Sequence, residues 1–217
     1  MHKIISKLLD LVYVPACPVC REPCREHICP DCKKLLDGLY SPMEIFRPTM
    51  HFDLAMSAFC FEDEAVKDLV YCLKRKGVEN AVVTAGEYLC SLVRSNSRFF
   101  DCNYVCYLPR SKEAMLSYGF DQARLLAVYL SQRLGLELWD KLSRVGKSES
   151  QKTLDLAKRY QNVKGKFVCD EKVFGASVIL VDDMITTGAS INEGSAALLS
   201  AGFESVKVIS LASADKR

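Results

Sequence analysis

Val178-Ile179-Leu180-Val181-Asp182-Asp183-Met184-Ile185-Thr186-Thr187-Gly188-Ala189-Ser190 is the stretch on which the fold turns. Four apolar residues, Val178–Val181, read as a buried strand of a parallel sheet. Two carboxylates follow at its carboxyl end, where open α/β sheets bind ligands. Adjacent residues of an extended chain point opposite ways, so Asp182 and Asp183 grip one ligand only if the chain turns there. Thr186-Thr187-Gly188 reads as that turn. Gly188 lets backbone amides approach an anion, and a helix starting near Ser190 aims its unpaired N–H groups and positive dipole end at the same spot. The hydroxyls of Thr186, Thr187 and Ser190 add donors. A ligand-free strand-to-helix turn needs one capping side chain, whereas here two carboxylates and three hydroxyls crowd nine positions. The expectation is a phosphate nest beside an acidic pair.

Working outward, Leu54–Phe61 reads as a strand and Glu64–Lys76 as a helix with Val66, Leu69, Val70 and Leu73 on one side. Ala81–Ser95 reads as a helix and Tyr104–Leu108 as a short buried strand ended by Pro109. Phe120, Ala123, Ala127, Leu130 and Leu134 recur at helical spacing, and Ser205–Ser210 reads as a last strand after a helix over Ser190–Ser200. Strands alternating with helices imply an α/β fold with a parallel sheet flanked by helices and right-handed crossovers. Residues 1–50 divide off as an N-terminal helix, a cysteine knuckle and a connector, leaving 51–217 as the main domain.

Five cysteines lie within the sixteen positions Cys17–Cys32, among prolines too dense for a regular helix. Cys17-x2-Cys20 and Cys29-x2-Cys32 are the paired corners of a tetrahedral four-cysteine zinc site, with Cys24 and His27 between them as substitute ligands. A redox pair would instead open a helix. The closed site is expected to fold the segment as structural zinc and not to catalyse. The other cysteines, Cys60, Cys72, Cys90, Cys102, Cys106 and Cys169, sit in apolar contexts and read as core.

The total of eleven cysteines is odd and suits a reducing cytoplasm. Lys7 and Asp10 interrupt the apolar residues Ile4–Val12, so neither a signal peptide nor a membrane span is expected there, but a short amphipathic helix. A net charge of +2 excludes a global field for nucleic acid and leaves Lys74-Arg75-Lys76 as a local basic patch. Trp139 reads as a packing residue.

Two further elements suit the site. Pro109, Arg110, Ser111 and Lys112 follow a strand, where exposed amides and two cations fit a pyrophosphate; alone they could equally be a solvated loop. Gln151 and Arg159 follow the polar stretch Gly146–Ser150, suited to a hood that excludes water, although in isolation a polar connector explains them as well.

The Asp182–Ser190 stretch resembles the signature of type I phosphoribosyltransferases. The resemblance implies that Asp182 and Asp183 hold the ribose hydroxyls of phosphoribosyl pyrophosphate, that Thr186, Thr187, Gly188, Ala189 and Ser190 cradle its 5′-phosphate, and that Mg2+ bridges the hydroxyls and the pyrophosphate. With the cysteine knuckle, Leu73-Lys74…Gly77, Val105…Pro109, Gly119-Phe120-Asp121-Gln122-Ala123 and Gln151…Arg159…Asn162-Val163, the chain is similar to ComF-type competence proteins, a branch related to amidophosphoribosyltransferases. That family usually has arginines where Ala114, Leu116 and Tyr118 stand, and Asn in place of Asp121.

The resemblance implies a role in DNA uptake and natural transformation, with single-stranded DNA or a competence helicase as partners. If the protein is an enzyme, it transfers a phosphoribosyl group and releases pyrophosphate. The rivals are a non-catalytic ribose-phosphate-binding competence factor and a nucleotide-salvage enzyme. The latter would need an aromatic stacking residue near the C-terminal strand, where Phe203 stands alone.

Overall fold

The computed structural model describes residues 14–46, 50–76, 78–145 and 165–214. The expected N-terminal helix and the hood residues Gln151 and Arg159 lie outside them, as does the side chain of Lys76.

After the cysteine segment come α1 (Pro30–Leu39), β1 (Met43–Glu44) and β2 (Leu54–Cys60), then α2 (Glu64–Lys76) and α3 (Glu79–Arg94). Next are β3 (Tyr104–Tyr107), α4 (Lys112–Tyr118), α5 (Gln122–Leu134), β4 (Glu137–Leu138) and β5 (Leu142–Arg144). The last elements are β6 (Phe167–Cys169), β7 (Ser177–Ile185), α6 (Ala189–Ala201) and β8 (Ser205–Ser213). Six strands form one sheet in the order β1-β2-β8-β7-β3-β4, while β5 and β6 pair antiparallel beside it. Among the described residues, only the edge strand β1 is antiparallel in the main sheet. All seven residues of β2 are buried, as in a strand covered on both faces.

The sheet divides the core. On one side Ile179, Val181, Ile209 and Leu211 pack with Leu69, Leu73, Leu89 and Leu126 from α2, α3 and α5. On the other, Val178, Leu180, Val206 and Val208 pack with Ile191 and Leu198 from α6. Trp139 is in this second core, edge-on to Tyr104 and Phe203 at 5.4 and 5.2 Å, a packing role as expected. The other cysteines are buried, with Cys169 half-buried.

The sequence places a tight loop between β3 and the helix near Phe120, and the structure adds α4 there. Ser111 caps its start, its Oγ accepting from Ala114 N at 3.2 Å, and Gly119 ends it at φ 77°. Its neighbour α5 begins where Asp121 Oδ1 accepts from the amides of Ala123 and Arg124 at 3.0 and 3.2 Å. These caps, not periodicity, decide the helix boundaries, because α4 buries no residue.

From β7 the chain crosses by α6 to β8, and from β3 by α4 and α5 to β4 on the other side. The loops after β3 and β7 therefore diverge at adjacent carboxyl ends, the switch point where such sheets hold ligands. Among the described residues no helix is long and apolar enough to cross a membrane.

Candidate functional site

At the end of β7 the structure departs from one expectation. The strand does not stop at Val181 but runs through both acids to Ile185, because β8 continues beside it, pairing Asp182 with Ser210 and Ile185 with Ser213. β3 stops level with Val181, so the acidic pair projects past its neighbour on that side. Asp182 Oδ1 folds back to accept from Asp183 N at 2.8 Å.

The acids face different surroundings. Asp183 is buried, and its Oδ2 lies 3.2 Å from Lys74 Nζ at the end of α2. That contact is an ion pair without hydrogen-bond geometry. Asp182 is half-exposed at the surface but closely hemmed by protein. Desolvation, and next the charge and hydrogen bonding of Asp183, hold its carboxyl well above the usual range, with Lys74 opposing. Lys74, in the local basic patch of the sequence, turns inward because it follows Val70 by one helical turn and borders the buried stripe. Arg75 alone of that patch is described as exposed.

Beyond Ile185 the turn forms as expected. Gly188 adopts φ 76°, a left-handed conformation suited to glycine, and starts α6 with no side-chain hydrogen bond to its cap. Thr187 Oγ1 accepts from Ala189 N at 3.4 Å, so the first amide of α6 is loosely satisfied within the protein. Asp182 and Met184 through Ile191 line a small cleft of ≈ 60 Å³ here, room enough for a small anion. His51 is tied to α6: its backbone N–H donates to Asn192 Oδ1 at 2.8 Å, and Nδ1 lies 3.1 Å from the same oxygen.

On the neighbouring strand end, Leu108 N still donates to Val181 O at 3.0 Å, which sets Pro109–Lys112 beside the acids' strand. Pro109 and Arg110 are half-buried, Ser111 buried and Lys112 exposed. Asp121 Oδ2 accepts from Arg110 N at 2.8 Å, so this acid, standing where the resembled family has Asn, binds the loop as well as capping α5. Burial raises the Asp121 carboxyl above its ordinary value, against the three amides it accepts from. The Arg110 guanidinium lies over the rings of Tyr118 and Phe120.

Sequence reasoning missed Arg144 on β5. It stacks 5.5 Å over Phe167, and burial lowers its guanidinium below the ordinary value while Glu113 and Asp182 pull the other way. No local motif marks it; only the fold brings β5 toward the acids.

The four-cysteine reading finds its geometry, but one expectation fails: Cys29 caps α1 and Cys32 lies in its first turn, because Pro30 stands at the helix start, where its missing N–H costs nothing. One sulfur from each of Cys17, Cys20, Cys29 and Cys32 lies within 4.8 Å of all the others, and Cys20 and Cys29 are 3.8 Å apart. Zinc–sulfur bonds of about 2.3 Å at tetrahedral angles require edges of about 3.8 Å, so the set fits a zinc ion. Burial alone would raise the Cys17 thiol, but backbone hydrogen bonds from Cys29, Val19 and Cys20 bring it down to about 7. Cys24 and His27 are engaged elsewhere: the Cys24 thiol donates to Glu26 O at 3.0 Å and His27 Nδ1 lies 3.1 Å from Asn80 Oδ1.

No family model matches the chain. Competence protein F of Haemophilus influenzae is 38% identical over 100 residues, which are 44% of this chain and 44% of that protein. The DNA utilization protein YhgH of Salmonella typhi is 35% identical over 92 residues, 42% of this chain and 40% of the relative. The match thus spans less than half the length of these curated relatives. Among solved structures, the glutamine phosphoribosylpyrophosphate amidotransferase of B. subtilis aligns with a TM-score of 0.39 at 23% identity, over 58% of this chain and 26% of its own. The orotate phosphoribosyltransferase of Aeropyrum pernix aligns at 0.37 and 16% identity, over 81% and 78%. Over part of its length, the chain is a relative of proteins named for competence and DNA utilization.

Proposed function

We propose that this protein binds phosphoribosyl pyrophosphate, with magnesium, at the switch point between β3 and β7, and that it serves natural competence and the use of DNA. One observation carries the reading: Asp182 and the amino end of α6 line a single small cleft, with Asp183 the next residue of the same strand. In this reading Asp182 and Asp183 accept from the ribose hydroxyls while the amides and hydroxyls of Thr186–Ser190 receive the 5′-phosphate. Lys74 pairs with Asp183 and holds it in place. Magnesium, which takes oxygen donors, suits this acidic surrounding and would supply charge neutralisation between the ribose hydroxyls and the pyrophosphate. The four cysteines hold structural zinc.

The competence role rests on the names of the partial relatives; single-stranded DNA and a competence helicase are the partners it brings. A second reading, binding without turnover, is favoured by α4. Ala114, Leu116 and Tyr118 replace the expected arginines, and Leu116 is 88% exposed, so this segment brings little cationic help to a leaving pyrophosphate. The salvage reading is disfavoured, since Phe203 is 3% exposed and packed against Tyr104 and Trp139, out of reach of a free base.

The test is incubation with phosphoribosyl pyrophosphate, magnesium and a panel of bases, ammonia or single-stranded DNA, following pyrophosphate. Release that depends on one acceptor identifies a transferase; binding without release identifies the non-catalytic factor. The double variant Asp182→Ala, Asp183→Ala should lose binding roughly a hundredfold or more, at about 1.5–3 kcal/mol per charged hydrogen bond. Full affinity in that variant would place the ligand elsewhere.

A further inference from the structure

We infer that Tyr118 and Phe120 are positioning residues that clamp the Arg110 guanidinium for contact with a pyrophosphate group, an inference that rests on the reading of the neighbouring cleft as a phosphoribosyl site. Arg110 leaves the end of β3 two residues past Leu108, and its Cζ lies 4.7 Å from the centre of the Tyr118 ring and 5.7 Å from that of Phe120. Asp121 Oδ2 holds its backbone N–H. Both rings are fixed by the caps that separate α4 from α5. Gly119 turns the chain between them at φ 77°, and Asp121 anchors the start of α5 immediately after Phe120.

A guanidinium meets a ring through its face, whereas its five N–H donors lie in its plane. The two rings therefore stabilise the charge and orient the plane while using none of the donors. Nη1 is buried and has no hydrogen-bond partner among the described residues. A buried donor in that condition is costly, and an anionic oxygen arriving in the plane of the guanidinium relieves it with a charge-assisted hydrogen bond. Tyr118 lies in the stretch where the resembled family usually carries arginines.

The test uses the full chain, with inorganic pyrophosphate plus magnesium and ribose 5-phosphate as separate probes in calorimetric titrations. Tyr118 is 53% exposed, so Tyr118→Ala should leave the melting temperature unchanged. It should weaken pyrophosphate about three- to fivefold, the size of a cation–π contact at an exposed site, and leave ribose 5-phosphate untouched. Tyr118→Phe keeps the ring and should bind as the parent does. With Arg110→Ala already in place, Tyr118→Ala should cost nothing more. An unaltered pyrophosphate affinity in Tyr118→Ala, or an equal loss with and without Arg110, overturns the clamp; so does a parent protein that binds no pyrophosphate. Failure of ribose 5-phosphate alone to bind would instead count against the cleft reading and leave the clamp standing.

Discussion

Asp182 is hemmed in by protein and lies beside a second carboxylate, and both conditions favour its protonated form. Its folded-state value is raised above the ordinary 3.8, so the folded protein holds this proton longer than the unfolded chain does. The associated stability is complete below the ordinary value and is lost as pH rises through the raised one. Asp182→Asn keeps the shape and removes the charge. It should therefore raise the melting temperature of the ligand-free protein at neutral pH by about 2–4 °C, for roughly 1 kcal/mol, and converge with the parent near pH 4. The same variant should lose ribose 5-phosphate binding, because a carboxylate that is costly at rest is the group that receives the hydroxyls. Melting curves across pH decide it; a lower melting temperature for Asp182→Asn at neutral pH would mean that the charge is well solvated. The residue type and its place in the motif were legible in the sequence. Its energetic burden was not, because that comes from neighbours brought by the fold.

At the level of elements, the site is a junction of α2, β7 and the start of α6, and the Lys74–Asp183 pair ties the first to the second. Lys74→Ala strands a buried carboxylate. The expected loss is about 2 kcal/mol, below the roughly 3–5 kcal/mol of fully buried pairs because the lysine side chain is 34% exposed. Adding Asp183→Asn should recover most of it. Chemical denaturation of the two single variants and the double one measures the coupling; additive losses would show that the pair is incidental. β2, α2, β7 and α6 were readable because each carries a period or an unbroken apolar run matching its burial. By contrast β1 and β4 hold two residues each, too few for any period, and α4 is made by Ser111 and Gly119 without burying a face. In the sequence the strand ends at Val181, because charge usually ends an apolar run. Its true end is set by the length of β8, information that lies in another part of the chain.

Taken whole, the molecule does not separate its cysteine segment from its sheet. The density of prolines implied a segment held by something other than a core, yet Cys17, Val19, Cys24, Cys32 and Leu36 belong to the same buried cluster as Leu69, Leu73 and the Val181 face of the sheet. Polar contacts cross the same boundary: Asn80 Nδ2 donates to Ala16 O at 3.2 Å, Thr84 Oγ1 to His27 O at 3.2 Å and Arg21 Nη2 to Asp68 O at 3.3 Å. The four-cysteine geometry was legible from spacing alone, but this docking onto α2 and α3 was not, since no pattern in the segment names its partner. With zinc on the four cysteines, as proposed, the packing would make the metal a matter of global stability, because folding energy gained in the segment would be shared with the helices that cover the sheet. Chelation, or Cys20→Ser, should lower the melting temperature by about 10 °C or more, equivalent to a few kcal/mol at this size, in one transition seen alike by far-ultraviolet dichroism and Trp139 fluorescence. Trp139 lies on the opposite face of the sheet, within the second core. If zinc loss melts the segment while the Trp139 signal stays at its original temperature, the segment is an independent unit and the shared core does not couple them. Coincident shifts would mean that the metal supports the cleft from across the sheet.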